Sequence, residues 1–292
     1  MILKPRLETL LRSQLDDGSG RGMDLSQPAG EPALVPADSV SWRVFANPVT
    51  LVIGGITAVL LELAEPRVRS GVWDHTTFRT DPLRRMRRTG MAAMVTVYGA
   101  RSQATRMISG VRRMHEQVRG TTPDGIPYEA NDPELLRWVH ATAAFGFLEA
   151  YHHYVQPLDQ AERDRYYEEG APISCLYGAE AAPVSEKELI GLFTGTLPLL
   201  EPSEILSEFI GIMESLPLLP PPLRRFNRTI VSASVGLLPP EIRTKLGLGG
   251  RLPHPTATKV LSFLARQADG LELDSSPVVQ ARRRIISQPN SA

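Results

Sequence analysis

Residues 73 to 138 read WDHTTFRTDPLRRMRRTGMAAMVTVYGARSQATRMISGVRRMHEQVRGTTPDGIPYEANDPELLRW, and their spacing decides the fold class. Asp81 followed by Pro82 is a helix start, because the side chain caps the first free amides and proline at the first position gives up an N–H that has no partner anyway. The spacing predicts a helix from Pro82 to Gly99 with Met86, Gly90, Ala93 and Val97 on one face, where small residues leave room beside it. A second helix, about Arg101 to Val118, sets Ile108, Val111, His115 and Val118 three, four and three residues apart, so His115 points with the apolar stripe. Arg112 and Arg119 flank it. TTPDGIP is a turn-rich loop. Asn131-Asp132-Pro133-Glu134 then opens a third helix, to about Tyr154, that carries Trp138, His140, Phe145, Phe147 and Tyr151.

The same punctuation recurs on both sides. Asn47-Pro48 starts a helix through PVTLVIGGITAVLL, an apolar run closed by Glu62 and Glu65 and shorter than the roughly 20 residues a bilayer needs. It is read as a buried helix. Gly54 and Gly55 in its middle each cost roughly 1 kcal/mol relative to alanine, which points to close approach of another helix or of a flat ligand. Asp159 with Glu162 and Ser185 with Glu188 are capping boxes, and a further helix follows Pro202-Ser203 to about Leu216. The run LPLLPPP from 216 to 222 breaks the chain, and a last helix lies near Thr256 to Ala268. Alternating strand patterns are almost absent, and about nine or ten helical segments show no repeat of fixed period. The expectation is an all-α fold: a flexible N-terminal arm (1–41), one compact multi-helix domain (42–270) and a polar C-terminal tail (271–292).

Composition narrows the function. A hydrophobic fraction of 42% in 292 residues supports a sizeable core. Lys+Arg and Asp+Glu both number 32, so there is no global charge to attract nucleic acid. The single cysteine, Cys175, excludes an internal disulfide, a CxxC zinc site and a CxxCH haem attachment, and is expected to be a core thiol. A reducing compartment, the cytoplasm, is expected, and MILKPRLETLLRSQLDDGSG lacks the apolar run of a secretory signal. None of the six histidines falls in a zinc motif, and P-loop, GxGxxG, GxSxG and EF-hand patterns are missing. From the residues alone, a histidine such as His115 on an apolar face is more often a satisfied core histidine than a ligand.

Four segments, GVWDHTTFRTDPLRRMRRT, VYGARSQA, VRRMHEQVRGTTPDGIPYEANDPELLRWVHAT and LLPPEIRTKLGL, together resemble the MpaB-like oxygenases and the bacterial rubber oxygenases, over about Asn47 to Leu248. The resemblance implies a non-covalent haem b in a globin-like helical core, with O₂ used to cleave a carbon–carbon double bond of an apolar substrate. By motif, His115 then looks like the proximal iron ligand. Such a ligand must be neutral at the metal-bound nitrogen and stand on a helix among apolar neighbours, and His115 can meet both demands.

The family's distal segment matches Arg85, Arg88 and Thr89. Arg88 stands where rubber oxygenases have a lysine able to cap the iron. Arginine is a poor ligand, so a closed, lysine-ligated resting state is not expected here. Arg85 or Arg88 is instead expected to polarise O₂ or pair with a haem propionate, and Arg112, Arg119 and Arg137 are further propionate partners. Arg84 and Arg87 are read as a solvated face. Where many relatives carry a histidine before the proline of LELAEPRVRSGV, this chain has Glu65, an acid, a base or simply a cap. His75 and His140 are the other polar candidates at the site, and His152 and His153 are expected on the surface. An alternative without haem is a helical enzyme or binding module that uses His75, Glu65 and His115 for acid–base chemistry in an apolar pocket. A third is a haem carrier or sensor.

Overall fold

The computed structural model of the chain describes residues 24–216, 226–269 and 273–287. Among them are thirteen α-helices and one two-stranded hairpin, so the all-α expectation holds. The break expected at 216 to 222 lies, after Leu216, outside the described residues.

Two helices make the centre. α2 (Pro48–Glu62) follows a short α1 (Val40–Val44), and α6 (Pro133–Tyr154) is the longest helix described. Asn47 caps α2 and Asp132 caps α6, each with proline in the first turn, as the sequence predicts. The two run antiparallel, since Trp138 Nε1 donates to Leu61 O at one end while Gly54 meets Gly146 further along. A Cβ on Gly54 would lie 2.6 Å from the carbonyl oxygen of Gly146. Gly54 is therefore there for helix contact, one of the two roles expected, whereas a Cβ on Gly55 would meet only the Phe147 ring at 3.9 Å.

Other helices wrap this pair. α10 (Asn227–Leu237) is tied to α2 by Ser234 Oγ donating to Ile53 O at 3.0 Å and Thr57 Oγ1 donating to Ser234 O at 3.1 Å. α12 (Pro255–Asp269) receives Asn47 Nδ2 on Ala265 O at 2.8 Å. α3 (Pro66–His75) turns away from α2 by 113°. No single described helix is long and apolar enough to cross a membrane, although α2 and α3 taken together pass on length and composition. α7 (Gln160–Tyr177), α8 (Glu186–Thr196), α9 (Glu204–Ser215) and α11 (Pro240–Lys245) complete the body. The Asp159–Glu162 capping box is formed in full. At α8, Ser185 caps Glu188 N but the Glu188 carboxylate reaches Val184 N, one residue earlier than a capping box requires.

α4 (Pro82–Tyr98) and α5 (Arg101–His115) meet at a corner at Gly99. α4 packs mainly on α5 and also on α13 and α1, and α5 packs on α7 at least as much as on α4; neither rests mainly on α2 or α6. α5 stops at His115, not at Val118. Beyond it Val118 N returns to His115 O, and the chain enters β1 (Arg119–Thr121), paired antiparallel with β2 (Pro127–Glu129). TTPDGIP is the hairpin turn, with Gly125 at φ 84°.

Both expected termini are corrected where they are described. Of the supposed arm, Leu25, Ala33 and Val35 are buried in the core. The supposed tail contains α13 (Pro277–Ile286), in which Arg284 is fully buried. Three consecutive arginines read as polar, yet a helix can bury one of them while its neighbours face water.

Candidate active site

The site is assembled where α2, α4 and α5 end or turn toward one another. His115 is the last residue of α5 and is half-buried, with its Nδ1 buried. Loss of hydration lowers its pKa, the Arg85 guanidinium lowers it further, and a loose side-chain hydrogen bond with Asn131 works the other way. The imidazole is neutral near pH 7, so one ring nitrogen carries a lone pair. Asn131 also closes the helix, its Nδ2 donating to Arg112 O at 3.1 Å.

Arg85 is half-buried on α4, with its guanidinium 5.3 Å from the centroid of Phe78 and donating to Thr89 Oγ1. Burial lowers its pKa, Glu62 supports its charge, and Arg88 opposes it. Glu62, the last residue of α2, is the member that the sequence treated only as the end of an apolar run. Burial raises its pKa to about 7, with Arg85 working against the rise. No direct ion pair joins the two, so the carboxyl is divided between its charged and neutral forms at neutral pH. Glu62, Arg85 and His115 thus form one electrostatic group drawn from three helices. Thr89 and Arg88 are exposed at its edge. Arg87, expected in solvent, is half-buried with an unpartnered buried Nε, because this part of α4 turns that side inward.

The other candidates lie elsewhere. Glu65 is buried, but both oxygens are engaged: Oε2 accepts from Val68 N and Oε1 from Arg67 Nε, each at 2.7 Å. It caps α3, the last of its three expected roles. His75 is exposed at the end of α3, with Nε2 3.2 Å from Tyr128 Oη on the hairpin. Arg112 and Arg119 are exposed. His140 is half-buried on α6 against Gly170 of α7, and burial pushes its pKa down to about 4. Arg137 has a buried, unpartnered Nε and lines a shallow groove with Gly191, Leu192 and Gly195 of α8. Cys175 is exposed rather than a core thiol, and His152 is half-buried, accepting from Leu158 N, whereas His153 is exposed. Both corrections follow from helix phase, which sequence spacing sets only relative to neighbours.

Among the described residues no group of three or more His, Cys, Asp or Glu is placed to hold a bare metal ion. A group that needs one axial protein ligand is a different case, and His115 offers the lone pair. The arrangement can hold a neutral nitrogen base opposite a fixed cation, with a carboxyl able to exchange a proton near pH 7.

Comparison with known proteins adds the lineage. Two relatives, described as uncharacterised proteins of Mycobacterium bovis and Mycobacterium tuberculosis, are each 28% identical over 223 residues, covering 73% of this chain and 86% of theirs. No solved structure matches. The family described as ER-bound oxygenase mpaB/B'/rubber oxygenase, catalytic domain, matches residues 42–268, a span that runs from within α1 to the end of α12 but for its last residue and includes every member of the Glu62–Arg85–His115 group. The chain belongs to this oxygenase family.

Proposed function

We propose that this protein is a haem b-dependent oxygenase that uses O₂ to oxidise an apolar small molecule, with His115 as the iron ligand. The carrying observation is His115 itself: a half-buried, neutral imidazole on the last turn of a helix, with a cation near enough to lower its pKa and a ring nitrogen whose lone pair a metal could take. The residues fit the group. His115 would hold the group through its iron, and the unpartnered Nε of Arg87, on the same helix as Arg85, is a donor that a propionate would satisfy.

Bound haem would supply the redox-active iron at which O₂ is activated for attack on a carbon–carbon double bond. The chain's own residues do the rest. Arg85, held by Thr89 and Phe78, keeps a positive charge fixed beside His115 and favours negative charge that develops there. Glu62 can take up or release a proton near neutral pH at its carboxyl oxygen. Among the alternatives, acid–base chemistry through His75 and Glu65 has no support from their positions, since one is exposed at the end of α3 against Tyr128 of the hairpin and the other is consumed as a cap.

The optical spectrum of protein expressed with haem supply tests this. A Soret band that is lost in His115→Ala and kept in His140→Ala is the expected result. No band under any condition would sink the proposal, and a band without substrate-dependent O₂ consumption would favour a carrier or sensor.

A further inference from the structure

Only Ala104 and Ile108 of the fifteen residues of α5 are buried. A helix packed so lightly draws little from apolar burial, so what grips its ends sets its position. The end near His115 is held by Asn131 and by the hairpin. The other end has no cap of its own, because Ala100 stands at the N-cap position. Glu31 supplies the missing acceptor from outside the helix: Oε1 accepts from Ser102 N at 2.5 Å and Oε2 from Ser102 Oγ at 2.9 Å. Beside it Arg101 N donates to Pro32 O at 2.9 Å, and Ala33 pairs with Ala100 in an isolated β-bridge.

This strap is itself held by α13. Arg284, fully buried, donates from Nε to Glu31 O at 2.8 Å and from Nη1 to Leu25 O at 2.6 Å. In return Gly30 N donates to Arg284 O at 2.8 Å, and Leu25 N to Gln280 Oε1 at 3.1 Å. Burying a guanidinium is costly unless its donors are used; Nε and Nη1 are used on the loop that caps α5, while Nη2 is buried without a partner. α13 packs on α4 as well. One helix therefore touches both the strap that fixes the His115 helix and the helix that carries Arg85. The strap and α13 both lie outside residues 42–268 that match the family's catalytic domain.

We infer that Glu31 and Arg284 form a clasp, built from segments beyond the catalytic domain, that positions the His115 helix against the Arg85 helix. They are positioning residues: they act on the site through α5 and α4. The consequence for a bound haem rests on the function proposed above, and the consequence for the helix does not.

The test uses the full chain with Glu31→Ala, Glu31→Gln, Arg284→Met and Arg284→Lys. Amide hydrogen exchange is followed along residues 101–115 in haem-free protein, and haem loss from loaded protein is followed by transfer to apomyoglobin. Loss of an N-cap is typically worth about 1 kcal/mol, or about fivefold, so Glu31→Ala is expected to speed exchange at Ser102 and Gln103 by about that factor. Glu31→Gln, whose amide oxygen still accepts, restores the wild-type rate. If the clasp positions the whole helix, exchange at residues 110–115 also rises and haem leaves several-fold faster in Glu31→Ala. Arg284→Met is expected to show the larger effect and Arg284→Lys an intermediate one. Should Arg284→Met not fold, Glu31→Ala still decides. Acceleration confined to the first turn of α5, with residues 110–115 unchanged, overturns the clasp. If wild-type protein takes up no haem, it is the proposed function that fails, and the exchange rates alone settle the clasp.

Discussion

The α2–α6 pair and the α4–α5 corner are built on opposite principles. In α2 and α6, glycine meets glycine, the apolar residues face neighbours on several sides, and most polar groups that remain are tied to backbone carbonyls. Shape determines that region. In α4 and α5 few residues are buried, arginines are frequent, and positions are held by caps, the hairpin and the strap. The candidate site draws on both: Glu62 comes from the end of α2, while Arg85 and His115 come from the second region, where few side chains are pinned by packing. A rigid floor and a lightly held arch are a suitable pairing for the haem site proposed above.

The sharpest way to break that contrast is at the floor. Gly146→Val puts a branched side chain where a Cβ would already meet Gly54 backbone and Ala58 N, 3.1 Å away. The helices must separate along their length, so stability is expected to fall by at least about 3 kcal/mol. Urea unfolding checks it. A loss under about 1 kcal/mol would show that the pair tolerates repacking and is not the rigid element described here.

The second test concerns two titratable groups, Glu62 on the edge of the arch and His140 on the floor, in haem-free protein. The folded pKa of Glu62, about 7, lies above its ordinary 4.5. Its neutral form is favoured by the fold, so this contribution is full below about pH 4.5 and is lost as pH rises through about 7. His140 behaves in the opposite sense: its folded pKa of about 4 lies below 6.5. Its contribution is full above about pH 6.5 and is lost as pH falls toward about 4. Each limb is worth roughly 2 kcal/mol after allowing for the exposure both side chains keep. Stability measured from pH 4 to 8 should lose its alkaline limb in Glu62→Gln and its acid limb in His140→Gln. Unchanged limbs would mean that water reaches these groups freely.

How much of this was legible in the sequence follows the same division. The floor could be read: Asn47-Pro48 and Asp132-Pro133 announce their helices, and Gly54 announces a close contact, because each signal is local. His115 was legible as part of an apolar stripe, and the family motif is what suggests it as a ligand. Glu62 was not, since its meeting with Arg85 depends on how three helices cross, and residues 62, 85 and 115 share no local pattern. The hairpin escaped because strands of three residues are too short to show alternation. The strap escaped because Gly- and Pro-rich sequence between residues 24 and 41 has no period, although its backbone caps and bridges are ordered. Arg284 is one of three adjacent arginines, and only the packing of α13 singles it out.

The smallest effect expected is also the most direct reading of the arch. Gly90 lies mid-helix in α4, on the face that Met86, Ala93 and Val97 share, and a Cβ there would meet nothing within 4 Å. Glycine inside a helix costs roughly 0.5–1 kcal/mol relative to alanine, chiefly through the freedom the unfolded chain loses, so Gly90→Ala should stabilise the haem-free protein by about that amount. The same change at Gly54 would be destabilising, because there the missing side chain is what lets the helices touch. Thermal unfolding of the two alanine variants side by side measures the contrast at the cost of one methyl group each. If Gly90→Ala also destabilises, the face of α4 that Gly90 shares with Met86 and Ala93 is not open, and the contrast with Gly54 fails.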